Sequence, residues 1–303
     1  MARPRVVSFV ALGLRYEQHA PEGTAGSRCR PPGTPTAARV RSIAVAERIT
    51  GGRPAHPANA SASPQQSFGW ARAAPWRGHA AIAHLVLSAR VPSDPAVIDA
   101  CLDALRRSGY ATVVTTAMPP GDAVPFVDAG FEMRERLHLL EHDLVALPMA
   151  RPDPPRLRRA RRVDRTPVLA LDHLAFDRFW RLEDQGLREA LQATPAVRFR
   201  VGEPARAPAG VAAAPARFAA AAYAITGRAG RQGYLQRIAV HPDERRHGWG
   251  RGLVIDALRW LRRHDARRAM VNTQWTNEGA VALYESCGFR RLPVGLCVLD
   301  RHL

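Results

Sequence analysis

The stretch HPDERRHGWGRGL (241–253) sets Gly248, Gly250 and Gly252 at alternate positions behind Arg245, Arg246 and His247. The apolar tripeptide Ile238, Ala239, Val240 runs into it. Val254, Ala257, Leu258 and Leu261 leave it at i, i+3, i+4, i+7, the stripe of a helix that packs on a sheet. Strand, glycine turn, helix is an arrangement that holds anions. Backbone N–H groups at the helix start point outward and the helix dipole adds partial positive charge. Glycines let the backbone approach without a Cβ in the way, and Arg245, Arg246 and His247 lie in the turn and can add charge-assisted bonds. A dinucleotide fingerprint needs Gly-x-Gly-x-x-Gly and a following acid, whereas the spacing here is Gly-x-Gly-x-Gly. A Walker loop needs lysine, and all 44 basic residues are arginine.

RRHGWG (245–250) has the form Arg-x-x-Gly-x-Gly and resembles the pyrophosphate loop of the GCN5-related N-acetyltransferases (GNAT). YLQRIAVHPDERRHGWGRGLVIDALRWL (234–261) is similar to that family's fourth strand, loop and third helix. NEGAVALYESCGF (277–289) resembles its next motif, Asn-x-x-Ala-x-x-Leu-Tyr-x-x-x-Gly-Phe, at every named position. LRRARRVDRTPVLALDHLAF (157–176) resembles the opening strand and first helix. The resemblance covers roughly 155–303. It implies a mixed α/β domain of the acyl-CoA N-acyltransferase fold, with acetyl-CoA as cosubstrate, no metal and an amine acceptor, either a small molecule or a peptide. It also implies that Ile238, Ala239 and Val240 bond the thioester and pantetheine, and that Arg245, Arg246, His247, Gly248, Trp249, Gly250 and Arg251 cradle the pyrophosphate. Tyr284 matches the acid that protonates the leaving thiolate, or is a core aromatic. Asn277 contacts the cofactor arm, or serves only as the N-cap of the last helix.

The general base has no clear carrier. Where many relatives place Glu on the fourth strand this chain has Tyr234, and Asn272 stands where relatives that modify ribosomal proteins carry Glu. Asp172, His173 and Asp177 fall in the region where relatives bind the acceptor and could work through water, but each reads rather as a solvated helix residue, so the base is unassigned. The missing Glu keeps a catalytically weak acyl-CoA sensor or scaffold as the alternative to an enzyme. HLLEH (138–142) fits an inverted zinc-protease pattern, but the repeat described next makes it a strand, where residues four apart lie ~13 Å from each other. Cys287 reads as a core residue.

Two halves of the chain carry the same landmarks in the same order. Leu-Arg-Arg near a helix end leads to a short apolar strand, then to a helix closing on Gly-Phe, then to a strand ending in Leu-acid-x-x-Leu. The copies are offset by 156, 158 and 159 residues at Leu105/Leu261, Gly130/Gly288 and Leu144/Leu303. The first copy has Phe126 for Tyr284, Pro119 for Asn277 and no glycine loop, so it reads as a degenerate repeat. The expected organisation is a poorly structured extension over 1–70, rich in Pro, Gly, Ala and Arg, and a degenerate repeat over 71–147. A proline-rich linker follows over 148–156 and the catalytic domain over 157–303. The net charge of +17 comes from an arginine-only basic set spread along the chain, which reads as coding bias, so no nucleic-acid partner is expected. No apolar run approaches the ~20 residues of a membrane span. The four cysteines lack Cys-x-x-Cys spacing, and a cytoplasmic location is expected.

Overall fold

The computed structural model describes residues 65–303 apart from 78, 89–90, 93, 151–152, 154 and 204–219, together with the backbone of three short strands, β1 (Val7–Phe9), β2 (Leu14–Arg15) and β3 (Arg41–Ser42). The first half runs β4 (Gln66–Ser67), β5 (Ala71–Trp76), β6 (His79–Leu87), α1 (Pro95–Arg107), β7 (Thr112–Thr115), α2 (Pro120–Asp128) and β8 (Glu132–His142). The second runs β9 (Leu157–Arg159), α3 (Arg165–Ala175), α4 (Asp184–Gln192), β10 (Ala196–Gly202), β11 (Ala222–Ala229) and β12 (Gln232–Val240). It continues through α5 (Trp249–Arg263), β13 (Arg268–Gln274), α6 (Glu278–Ser286), β14 (Arg290–Arg291) and β15 (Leu296–His302).

Local chemistry fixes these boundaries. Asp94 caps α1 by accepting the Ala96 N–H at 2.9 Å, Pro95 opens the helix, and Arg106 and Arg107 close it against the dipole. In α5, Leu253, Val254, Ala257, Leu258 and Leu261 are buried as the sequence stripe requires. Gly130 and Gly288, the two Gly-Phe landmarks, both take positive φ (77° and 90°) just past a helix end. The opening strand stops at Arg159, because the Asp164 carboxylate accepts from the Arg161 N–H and both Arg158 Nη atoms and turns the chain. Arg178–Trp180 forms a separate 3-10 turn ahead of α4, which starts at Asp184.

Thirteen strands make one mixed sheet in the order β4-β5-β6-β7-β15-β8-β13-β1-β12-β11-β10-β9, with β14 paired to β8. The two repeats have exchanged their last strands. β8, from the first half, pairs antiparallel with β13 (Leu140 opposite Val271), and β15, from the second, pairs with β7 (Arg301 opposite Val113). β8 and β15 then pair with each other, Leu137 opposite Leu296. The cores follow the exchange. Cys297 and Leu299 of β15 pack with Leu85, Ile98 and Phe126 of the first half. Leu140 and Leu144 pack with α5 and α6, and Leu137 and Leu139 pack on the opposite face with α3. The segment 138–142 is the end of β8, as the repeat requires.

Candidate active site

The pairing of β12 with β13 is parallel and short, from Gln232 opposite Arg268 to Tyr234 opposite Met270. Beyond that point the two strands part. The backbone of β1 lies between them, Ser8 opposite Ile238, Val7 opposite Ala239, and Phe9 opposite both Arg237 and Asn272. A register shift in the β11–β12 ladder at Ile225/Thr226 coincides with the parting. Ile238 and Ala239, named from sequence for the thioester, therefore lie on the strand that diverges, with Val240 at its end.

After β12 the chain turns through Pro242–Glu244, with Arg246 (φ 69°) and Gly248 (φ 86°) in the left-handed region, and enters α5 at Trp249. Gly248 caps without a side chain. The first intrahelical bond runs from Gly252 N–H to Gly248 O at 2.9 Å, so the amides of Trp249, Gly250 and Arg251 stand ahead of the helical ladder. Beside them lies a cavity of about 220 Å³ whose walls include Gly248, Arg251, Arg200, Arg259 and Arg263. Residues 252, 255, 256, 259 and 263 line it from one face of α5. That spacing is readable as helical periodicity, so Arg259 and Arg263 were accessible to sequence reasoning but passed over.

Not every loop residue faces that cavity. Trp249 is buried; its indole donates to Glu244 Oε2 at 2.8 Å and its ring presses on Gly202, where a Cβ would collide with it. Gly252 makes room for Pro155, whose Cγ a Cβ would meet at 2.7 Å. Arg251 donates to Ser286 O at 2.9 Å and Met149 O at 3.4 Å, tying α5 to the end of α6 and to the linker. Arg246 and His247 are exposed and Arg245 half-buried. Asn277 is 5 % exposed and its amide is engaged at both ends, Oδ1 capping the Ala280 N–H at 3.2 Å and Nδ2 donating to Thr273 Oγ1 at 3.1 Å. The cap, one of its two sequence readings, is formed. Tyr284 is fully buried on α6, 5.7 Å ring to ring from Phe289, in the core that also holds Ile238, Val240 and Trp249. Burial pushes the Cys287 thiol up, and the residue sits in that core.

On the opposite face of the sheet, Asp172 is no solvated helix residue. It is wholly buried on α3, receives Arg237 in a two-point bond (Nε to Oδ2 2.8 Å, Nη2 to Oδ1 2.9 Å), and also accepts the Tyr223 hydroxyl and the Leu182 N–H. A carboxylate so occupied is a strut, and its candidacy as a base ends there. Burial, then the Asp172 charge, raises the Tyr223 hydroxyl well above its ordinary value. Arg237 also donates to Trp180 O at 2.7 Å and covers the Phe176 ring at 3.2 Å. His173 Nε2 sits 2.9 Å from Leu182 O, and Asp177 is exposed. Next to Arg237 a cavity of about 70 Å³ is walled by both halves, by Trp76, Arg77 and His84 from the first and Trp180, Glu189 and Gln236 from the second. Sequence reasoning missed these residues because no motif links positions about 100 apart. Among the described residues no cluster of His, Cys, Asp and Glu could hold a metal ion, and no helix is long and apolar enough to cross a membrane.

Residues 164–289 match the model of the acetyltransferase (GNAT) family. No curated protein matches the sequence. Among solved structures, the chain is similar to a tandem GNAT protein from the clavulanic acid biosynthesis pathway, with 16% identity and a TM-score of 0.55 over 77% of this chain and 78% of that one. It is similar to a GCN5-related N-acetyltransferase from Kribbella flavida (15%, TM-score 0.52, 79% and 89% covered) and to another from Sphaerobacter thermophilus (12%, 0.52, 77% and 76%). At such identities the likeness speaks for the fold, and it spans both halves. The glycine turn, the parted strands and the buried tyrosine thus sit inside the segment 164–289 that matches the acetyltransferase (GNAT) family model, in a fold similar to that of a tandem GNAT protein.

Proposed function

We propose that the protein transfers an acetyl group from acetyl-CoA to a primary amine. The observation that carries this reading is the parting of β12 from β13 directly ahead of a helix start with open amides and an arginine-walled cavity. A parted strand offers backbone N–H and C=O groups to an extended ligand arm, and the amides and arginines beside it suit a pyrophosphate. Residues 7–9 pair with that same edge, so β1 must withdraw for an acyl-pantetheine arm to bond Ile238–Val240.

A thioester supplies an acyl group that an uncharged amine attacks, and the departing sulfur then needs a proton. Tyr284, on the same sheet face as the glycine turn, is the group proposed to deliver it. The acceptor approaches from the other face, where the 70 Å³ cavity adjoins Gln236 and Arg237. With Asp172 engaged by Arg237, the carboxylate proposed to take the ammonium proton there is Glu189, half-buried and 2.9 Å from Gln185 Nε2. The test is thiol release from acetyl-CoA across a panel of amines and N-terminal peptides, with calorimetry of coenzyme A binding. Saturable coenzyme A binding and amine-dependent thiol release support the reading; absence of both sinks it.

A further inference from the structure

The hairpin between β5 and β6 turns at Arg77, a non-glycine residue at φ 52°, a left-handed conformation that side chains ordinarily avoid. The turn brings the arginine to the cavity wall. There its Nη1 donates to Trp180 O at 2.6 Å, and its guanidinium carbon lies 4.6 Å from the Trp76 ring centroid and 5.5 Å from that of Trp180. Gly186 on α4 makes room for its stem, since an added Cβ would come within 3.5 Å of Arg77 Cβ and 3.2 Å of Leu182 Cδ2. The first half, which has no glycine loop and carries Phe126 where the second has Tyr284, thus places a cation in the second half's proposed acceptor cavity.

Arg77 stands among several charged neighbours. Arg237 spends its charge on Asp172 at 2.7 Å. Burial first, then the neighbouring Arg237, pulls Arg77 down to about 9, and burial with Arg77 holds His84 uncharged, down at about 3. Glu189 is the remaining carboxylate on the wall. Gln236 is 4 % exposed; its amide donates to Thr194 Oγ1 at 3.3 Å, and that hydroxyl donates to Ala196 O at 2.9 Å. This chain of bonds fixes the amide orientation and leaves Gln236 Oε1 buried with no hydrogen-bond partner. One wall therefore offers guanidinium donors and another offers acceptors.

We infer that the acceptor is a compact amine that carries a carboxylate, of the amino-acid kind, with the carboxylate on Arg77 and the amine toward Gln236 and Glu189. A guanidinium has five N–H donors in a planar fork, so a carboxylate can join the Trp180 carbonyl on it. The cavity, about 70 Å³, has room for the amine, α-carbon and carboxylate between these walls, with any side chain directed to its opening. The inference rests on the acetyl-transfer reading for its chemistry, but the binding it describes can be measured without turnover.

The full chain is assayed with matched compounds, namely an amino acid, its primary amide and the amine lacking the carboxyl group. The acid is expected to exceed the amide in kcat/KM by about 10- to 100-fold, the range of a charge-assisted hydrogen-bond pair. That advantage should vanish in Arg77→Gln and return in part in Arg77→Lys. Calorimetry of the acid and the amide, without donor, is the second readout. Equal turnover of acid and amide overturns the inference and leaves acetyl transfer standing. Binding of the acid but not the amide, with no turnover of any amine, supports the anion site and sinks acetyl transfer. Absence of discrimination in both assays overturns the inference, and the wild-type comparison decides it if the variants do not fold.

Discussion

Tyr284 carries two demands at once, since it is fully buried among Cys287, Phe289 and Val271 and is also the proposed proton donor. Tyr284→Phe keeps the ring and removes the hydroxyl. If the hydroxyl acts only as charge develops on sulfur, kcat should fall by ~10²–10⁴-fold with coenzyme A affinity unchanged by calorimetry. A wild-type rate with chemistry limiting would leave Tyr284 a core aromatic. Asp172 makes the opposite kind of test. Asp172→Ala strands the Arg237 guanidinium, 3 % exposed, without its carboxylate, and should cost about 3–5 kcal/mol by denaturant unfolding. At this scale the sequence was partly legible. Gly248 and the Asn277 cap could be read because each acts through its immediate neighbours. The role of Asp172 could not, because its partners Tyr223 and Arg237 are 51 and 65 residues away.

The start of α5 is set by a packing contact from another strand as much as by its own glycines. Gly202, at the end of β10, lies against the Trp249 ring. Gly202→Ala should push that ring and the first turn of α5, costing about 1–3 kcal/mol of stability and weakening coenzyme A binding with it. Unchanged affinity would separate the turn from the ligand. The turn ahead of α3 is held by the Asp164 carboxylate, which the Arg158 guanidinium, at 2.7 Å to each oxygen, holds below its ordinary 3.8 against the opposing effect of burial. Because the folded value lies below the unfolded one, this contribution is complete above about pH 4 and disappears as pH falls through the depressed value. Arg158→Gln should therefore flatten the acid limb of the stability profile. β1 supplies a further element-scale test. Deleting residues 1–12 should raise coenzyme A affinity, since β1 holds the β12 edge proposed for the ligand arm, and a fall in affinity would show that β1 supports the site. Helix periodicity and glycine punctuation made α5, α6 and their flanking strands legible. The place of β1 was not, because three residues carry no period.

The repeat was readable along the chain, but the exchange of β8 and β15 was not. A final strand has the same alternating pattern whether it completes its own half or the other, and only the three-dimensional pairing tells them apart. The consequence is that 157–303 is a sequence unit and not a closed sheet, since β13 lacks its β8 neighbour when that segment is cut out. Residues 155–303 expressed alone should therefore unfold well below the full chain in a calorimetric scan, and the full chain should unfold in one transition. A separate, early transition for either half would contradict this. The same exchange bears on how the chain is made. β7 finishes at Thr115, and the Leu299 amide that bonds the Thr115 hydroxyl lies 184 residues later. While the intervening chain emerges from the ribosome, the first half carries a bare strand edge of the kind that invites pairing with the wrong partner. Synthesis halted before β15 should thus yield a nascent chain that chaperones bind and proteases cut within the first half, a vulnerability that ends only when β15 is delivered.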